Sequence, residues 1–223
     1  MTNVKITFQE FDTRDRQCGG CSLCCKLLPM KTRPPDQIAR VTGEMIKQGW
    51  AKASEFVGML PDFNKPANQP CQHQRHGKGC KVYARRPSSC RWWSCRWLVN
   101  NDTADLRRPD RSRYVIDILP DFVTLQDNDT GQSRNVEIVQ VWVDPATPDA
   151  WRDPALLAYI ERRAEEGIAA LIRWGSGSGM TVFAPAMSAD KQWHEVRGAS
   201  AGREHLADEL IEGLAACAKV KVG

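Results

Sequence analysis

The residues best equipped to do chemistry in this sequence are its cysteines, and eight of the nine fall between Cys18 and Cys95. They read CGGCSLCC at Cys18, Cys21, Cys24 and Cys25, CQHQRHGKGC at Cys71 and Cys80, and RPSSCRWWSC at Cys90 and Cys95. A thiol that is reachable and partly ionised oxidises, exchanges or binds metal. Two groups of four this dense therefore call for a metal, a set of disulfides or a redox couple.

Compartment chooses between them. No run approaches the roughly 18 apolar residues of a membrane span, and the start MTNVKITFQEFDTRDR is too polar for a secretory signal. The expectation is a cytoplasmic protein with no membrane partner. Thiols stay reduced there, so a cysteine-dense segment is read as binding metal rather than forming structural disulfides. The net charge of +4 and pI near 8.6 fall well short of a dedicated nucleic-acid tail.

Cys18, Cys21 and Cys24 at x2 spacing put three sulfurs on one tight loop, the arrangement that serves three corners of a 4Fe-4S cluster, with a remote fourth thiolate completing it. Zinc sites draw knuckles of two cysteines from separate places, and Cys18 and Cys21 with a later pair would satisfy that as well. The spacing thus leaves an iron-sulfur cluster and zinc both open. Adjacent side chains diverge in any regular backbone, so Cys24 and Cys25 are not expected to share one mononuclear centre. The metal-ligand pool is Cys18, Cys21, Cys24, Cys25, Cys71, Cys80, Cys90 and Cys95, in one site or two. His73 and His76 could replace a thiolate, but are read as a solvated loop or as partners that only orient the site.

With these residues assembled, the chain resembles the CxxCxxCC cysteine-cluster family of zinc- or iron-chelating proteins. The likeness rests on CGGCSLCC, on GCKVYARRPSSCR at Gly79 to Arg91 and on WSCRWL around Cys95, covering Cys18 to Leu98 at most. It implies chelation of zinc or an iron-sulfur centre, with no general activity attached. Related proteins such as flagellin lysine methylases carry a similar cluster, so the resemblance also admits an iron-sulfur-dependent enzyme.

The elements that must position these residues come in two parts, giving an α+β protein. Residues 1–99 form a cysteine-rich, metal-stapled region with short helices and a helical insertion at about 35–61; residues 100–223 form a small antiparallel sheet with two helices. Val4, Ile6 and Phe8 suggest an edge strand, and the first cysteine group reads as a loop. A helix is expected from Asp36 to about Gln48 and a shorter one over Ala53 to Leu60. Strands are expected at Tyr114 to Leu119, Phe122 to Gln126 and Val136 to Val143 as an antiparallel meander. A helix starting at Asp153 and Pro154 should end at Gly167. Strands at Ile168 to Trp174 and Met180 to Ala184 should flank GSGSG as a hairpin turn. The last element is a helix from about Arg203 to Ala218, with Cys217 a small buried hydrophobe on its Leu206, Leu210, Leu214 stripe.

Arg85, Arg86, Arg91 and Arg96 interleave with Trp92, Trp93 and Trp97, a pattern that can stack single-stranded nucleic acid. The preferred reading is plainer: tryptophans shield the metal and arginines cap thiolates or backbone. No nucleophile elbow and no HExxH appears, and no glycine-rich turn between strand and helix marks a methyl-donor site. The expected function is therefore an accessory, structural or redox metal protein, with a protein partner. The alternatives are the iron-sulfur enzyme and a zinc-stapled module that binds nucleic acid or protein.

Overall fold

The computed structural model describes residues 16–49, 51–119, 121–126 and 131–197. The first strand and the last helix expected from the sequence, and Cys217 with it, lie outside the described residues.

In the C-terminal half, β3 (Tyr114–Ile116), β4 (Asp121–Gln126), β5 (Ser133–Val143), β6 (Ala169–Gly175), β7 (Ser178–Phe183) and β8 (His194–Arg197) form one six-stranded sheet. The expected meander is corrected here. Strands β3 and β4 do not pair with each other; both lie antiparallel against the long β5, β3 along its end and β4 along its start. Nor is the sheet wholly antiparallel, because β5 and β6 run parallel, Ile138 opposite Ala169 and Trp142 opposite Arg173. A parallel pair needs a long crossover, and α6 (Pro154–Glu165) lies within it. Asp153 caps α6, its carboxylate accepting from the Ala155 N–H. The hairpin from β6 to β7 turns through the expected glycine-rich segment, and β8 adds an edge that the sequence reading missed.

The sheet is covered on both faces. Val139, Val141 and Val143 of β5 pack with Leu156, Tyr159 and Ile160 of α6 in the main core. On the opposite face Val115 and Trp142 pack with Cys21, Leu23 and Leu27 of the cysteine half.

That half is built from short pieces: α1 (Leu23–Leu27), α2 (Pro35–Lys47), a two-stranded hairpin of β1 (Gln74–Arg75) and β2 (Gly79–Cys80), α3 (Ser88–Trp92), α4 (Arg96–Val99) and α5 (Pro109–Ser112). The helix expected over Ala53 to Leu60 is only a four-residue 3-10 turn, Ala53–Phe56. The first cysteine group is a loop only as far as Ser22, since Cys24 and Cys25 sit on α1. Among the described residues no helix is long and apolar enough to cross a membrane.

Candidate metal centre

The loop of the first cysteine group lies against the β1–β2 hairpin at backbone contact. A Cβ on Gly20 would come within 2.6 Å of the Gly77 carbonyl oxygen, and one on Gly79, whose φ is +79°, would collide with the Gly19 carbonyl. Only glycine permits that approach. It brings the Cys18–Cys21 loop and Cys80 together across a long stretch of sequence. A second tie is the Cys71 N–H, which donates to the Cys25 carbonyl at 3.0 Å.

Helix α3 carries Cys90, and its N-terminus is held by a buried carboxylate. Asp62 accepts from the Ser88 and Ser89 hydroxyls, the latter at 2.8 Å, and from the Ser89 N–H. Arg86 reaches over the Tyr83 ring, 4.1 Å from its centre, and donates from Nε to the Cys90 carbonyl. Arg91 donates to the Ala84 carbonyl. The YARRPSSCR segment is thus a device that closes a turn around Cys90, with its arginines bonded to backbone.

The tryptophans face inward. Trp92 packs against Val41 and Met45 of α2, while Trp93 packs, as Cys24 and Cys95 do, against the cluster of Cys21, Leu23, Leu27, Val115 and Trp142 and donates from its indole N–H to Asp117 at 2.8 Å. Trp97 donates to the Leu106 carbonyl and carries the Arg16 guanidinium over its ring. His76 is exposed on the hairpin turn. His73 meets Phe63 edge-on, and it is its backbone N–H, not its ring, that approaches the Cys71 sulfur, at 3.4 Å.

Cys18, Cys21, Cys24 and Cys95 line one cavity, closed by Trp97, Leu98 and Pro109. Cys24, Cys25, Cys71 and Cys90 lie near the buried Lys65, a residue the sequence reading did not single out. Its ammonium donates to the carbonyls of Lys26, Pro66 and Gln69 at 3.2, 3.0 and 2.9 Å. Burial pulls the Lys65 pKa down, and the neighbouring Cys71, Cys25, Cys24 and Cys90 oppose that shift. All eight cysteines are free of disulfides. Among the described residues no three Cys, His, Asp or Glu side chains converge tightly enough to hold a metal ion as they stand.

Burial pushes the Cys18 thiol up to about 11, helped by Cys21 and Cys25 and opposed by Arg86. Burial likewise takes Cys90 and Cys95 up to about 12, with neighbouring thiols adding to it. Cys24 and Cys25 behave as a pair. Their mutual hydrogen bond lifts Cys24 well above its ordinary value and holds Cys25 below its own, where Lys65 also helps keep the thiolate.

Helix α1 is strapped to the sheet beside these thiols. Lys26 donates to the buried Asp144 carboxylate at 2.7 Å, and Arg113 approaches the same carboxylate at 3.3 Å. Neither Lys26 nor Asp144 follows a motif that would have disclosed the contact.

The donor set fits a thiophilic metal. Eight thiols gather in one half of the chain, four of them face a largely apolar wall, and a buried cation stands near Cys24, Cys25, Cys71 and Cys90. Bound at such a site, zinc or iron would act as a fastening for the polypeptide, and iron-sulfur would add one-electron chemistry. The comparison with known families agrees with that class. Residues 17–108 match the CxxCxxCC family, described as a "putative zinc- or iron-chelating domain". No curated protein and no solved structure matches the chain.

Proposed function

We propose that this protein is a metal-binding protein that holds an iron-sulfur cluster through thiolates of its N-terminal half and serves as an accessory, structural or redox component. The observation that carries the reading is the cavity ringed by Cys18, Cys21, Cys24 and Cys95. Three of its sulfurs come from the x2-spaced loop and the first helix, the fourth comes from a distant segment, and the remaining wall is largely apolar. A 4Fe-4S centre takes four such thiolates, and apolar walls limit its exposure to water and oxidants. The chain's own residues do the holding: the glycine contact sets the loop, Lys26 and Asp144 fix α1, and Trp93 anchors the segment of Cys95 to the sheet through Asp117.

Zinc is the second reading, favoured by the spacing of Cys18 and Cys21, a two-cysteine knuckle that a later pair of thiolates would close into a four-coordinate site. Anaerobic purification followed by metal and sulfide analysis separates the two. Brown protein absorbing near 400 nm, with iron and acid-labile sulfide, is the expected result. Colourless protein with stoichiometric zinc would replace the iron-sulfur reading by the zinc one, and protein that takes up neither metal would end both.

A further inference from the structure

The cations of this chain are unevenly shared. Residues 17–108 hold sixteen Lys and Arg against six Asp and Glu, while the rest of the sequence holds fifteen against twenty-one. Within the first span, Phe63 to Asn101 carries eight Lys and Arg and no Asp or Glu. Like charges gathered without counter-charge repel one another in a compact state, and a bound polyanion relieves that repulsion.

Part of this charge is used inside the molecule. Lys65 is buried, Arg96 meets Asp102, and Arg91 donates to the Ala84 carbonyl. The remainder lies outward along one short piece of chain. Arg75, Lys78 and Lys81 are exposed, and their side chains make no hydrogen bond or ion pair among the described residues. Arg85, also exposed, donates only from Nε, to the Gly58 carbonyl at 3.1 Å.

Tyr83 stands among these cations, at the start of the 3-10 turn Tyr83–Arg85. It is 52% exposed, with the Arg86 guanidinium 4.1 Å from its ring centre. Arg86 is itself fixed by donating to the Cys90 and Tyr83 carbonyls at 3.1 and 3.3 Å. The ring is thus supported by a positioned guanidinium and still presents surface to solvent. The tryptophans that the sequence pattern offered as stacking groups are instead packed or bonded inward.

The backbone beneath these side chains is tied down. The Lys81 N–H donates to the His73 carbonyl at 2.8 Å, closing the hairpin that carries Arg75 and Lys78, and the glycine contacts seat that hairpin on the first cysteine loop. The Arg85 carbonyl accepts from the Leu60 N–H at 2.9 Å. A surface held in place before binding has less ordering left to lose.

We infer that the β1–β2 hairpin and the Tyr83–Arg85 turn form a binding surface for single-stranded nucleic acid, with Arg75, Lys78, Lys81 and Arg85 meeting phosphates and Tyr83 stacking on a base. The inference does not rest on the metal-binding reading. Phosphates answer the unpartnered cations, and an exposed ring stacks on a base that is free of pairing. An acidic polypeptide would satisfy the cations and leave the ring unused.

The test is fluorescence anisotropy of a labelled oligothymidylate of about 16 nucleotides. It is titrated with the full chain, purified anaerobically with the metal it carries, from about 50 to about 200 mM salt. Each phosphate contact on a single strand contributes about −0.7 to the slope of log affinity on log salt, so four cations predict a slope of about −3. Arg75→Ala with Lys78→Ala should halve that slope. Tyr83→Ala should weaken binding by roughly tenfold with the slope unchanged, whereas Tyr83→Phe should bind as wild type does. A wild-type chain that ignores the oligonucleotide at the lowest salt, or binds a duplex or polyglutamate of the same length equally well, would overturn the inference. So would a folded Tyr83→Ala chain of undiminished affinity. The salt slope and the comparison of polyanions are read on the wild-type chain, so a variant that fails to fold does not remove the test. Metal content of the same preparation reports separately on the metal-binding reading.

Discussion

Helix α6 lays Leu156, Tyr159 and Ile160, all fully buried, on a sheet whose facing valines are nearly as hidden. The longest helix of the cysteine half, α2, buries only Val41 and Met45 along its thirteen residues, and its neighbours there are helices of four or five. The first region closes by removing apolar surface from water. The second closes by pairing backbone with backbone across glycines and by holding short helices with Asp62 and Arg86, and the metal proposed for its thiols would add to that. Under the proposed function a region of the second kind would depend on its metal, because a structural metal can contribute on the order of 10 kcal/mol against a domain's net stability of roughly 5 to 15.

Metal removal should therefore split the two regions. Chelation is expected to melt the cysteine half, seen as loss of protection from hydrogen exchange over residues 18–99, while amides of β5 and β6 stay protected. Equal loss in both halves would show that the sheet has no stability of its own. Gly79→Ala comes next. Its methyl would collide with the Gly19 carbonyl at a φ that alanine resists, so a loss of about 3 kcal/mol is expected with reduced metal content. An alanine there that leaves metal stoichiometry and melting unchanged would remove the glycine contact from the account.

Ile160→Ala is the mirror test on the other side of the comparison. Emptying that position should destabilise the sheet half by about 3 kcal/mol in urea melts and leave the metal content alone. Asp144→Asn has the smallest effect and tests the strap between the regions. Burial alone would raise the Asp144 pKa, but the hydrogen bond from Lys26, the Ala146 N–H and the charges of Lys26 and Arg113 outweigh it and hold it below 3.8. A carboxylate whose folded pKa is lowered stabilises the fold above its unfolded pKa, and that contribution is lost as pH falls through the folded value. The variant should thus cost about 2 kcal/mol at neutral pH, and its difference from wild type should fade as pH falls below 3.8 and through the lowered folded value. A difference that persists in acid would mean the side chain matters for packing alone.

Much of this was legible before any coordinates. Leu156, Ile160 and Ala164 at helical spacing after Asp153 and Pro154 marked α6, and the glycine-rich segment between two apolar runs marked the β6–β7 turn. The run VEIVQVWV at Val136–Val143 is nearly continuous in apolar character, the pattern of a strand covered on both faces. Reading it as part of a meander overlooked that. Its parallel partner begins twenty-six residues later, beyond α6, and pairing at that range leaves no local trace. β8 left still less, since all four of its residues are exposed and have no apolar alternation. In the cysteine half, the spacing of the thiols did not show that Cys18, Cys21, Cys24 and Cys95 line one cavity. Lys65 and Asp62 went unnoticed because a single lysine or aspartate in a proline-rich loop looks like any solvated charge until the fold buries it.

The glycine contact between the first cysteine loop and the hairpin has a consequence for how this sequence can drift. With Gly20 against Gly77 and Gly79 against Gly19, neither turn has room for a side chain unless the other retreats. Relatives that keep the one should keep the other, and a lineage that abandons either should be found to have changed both.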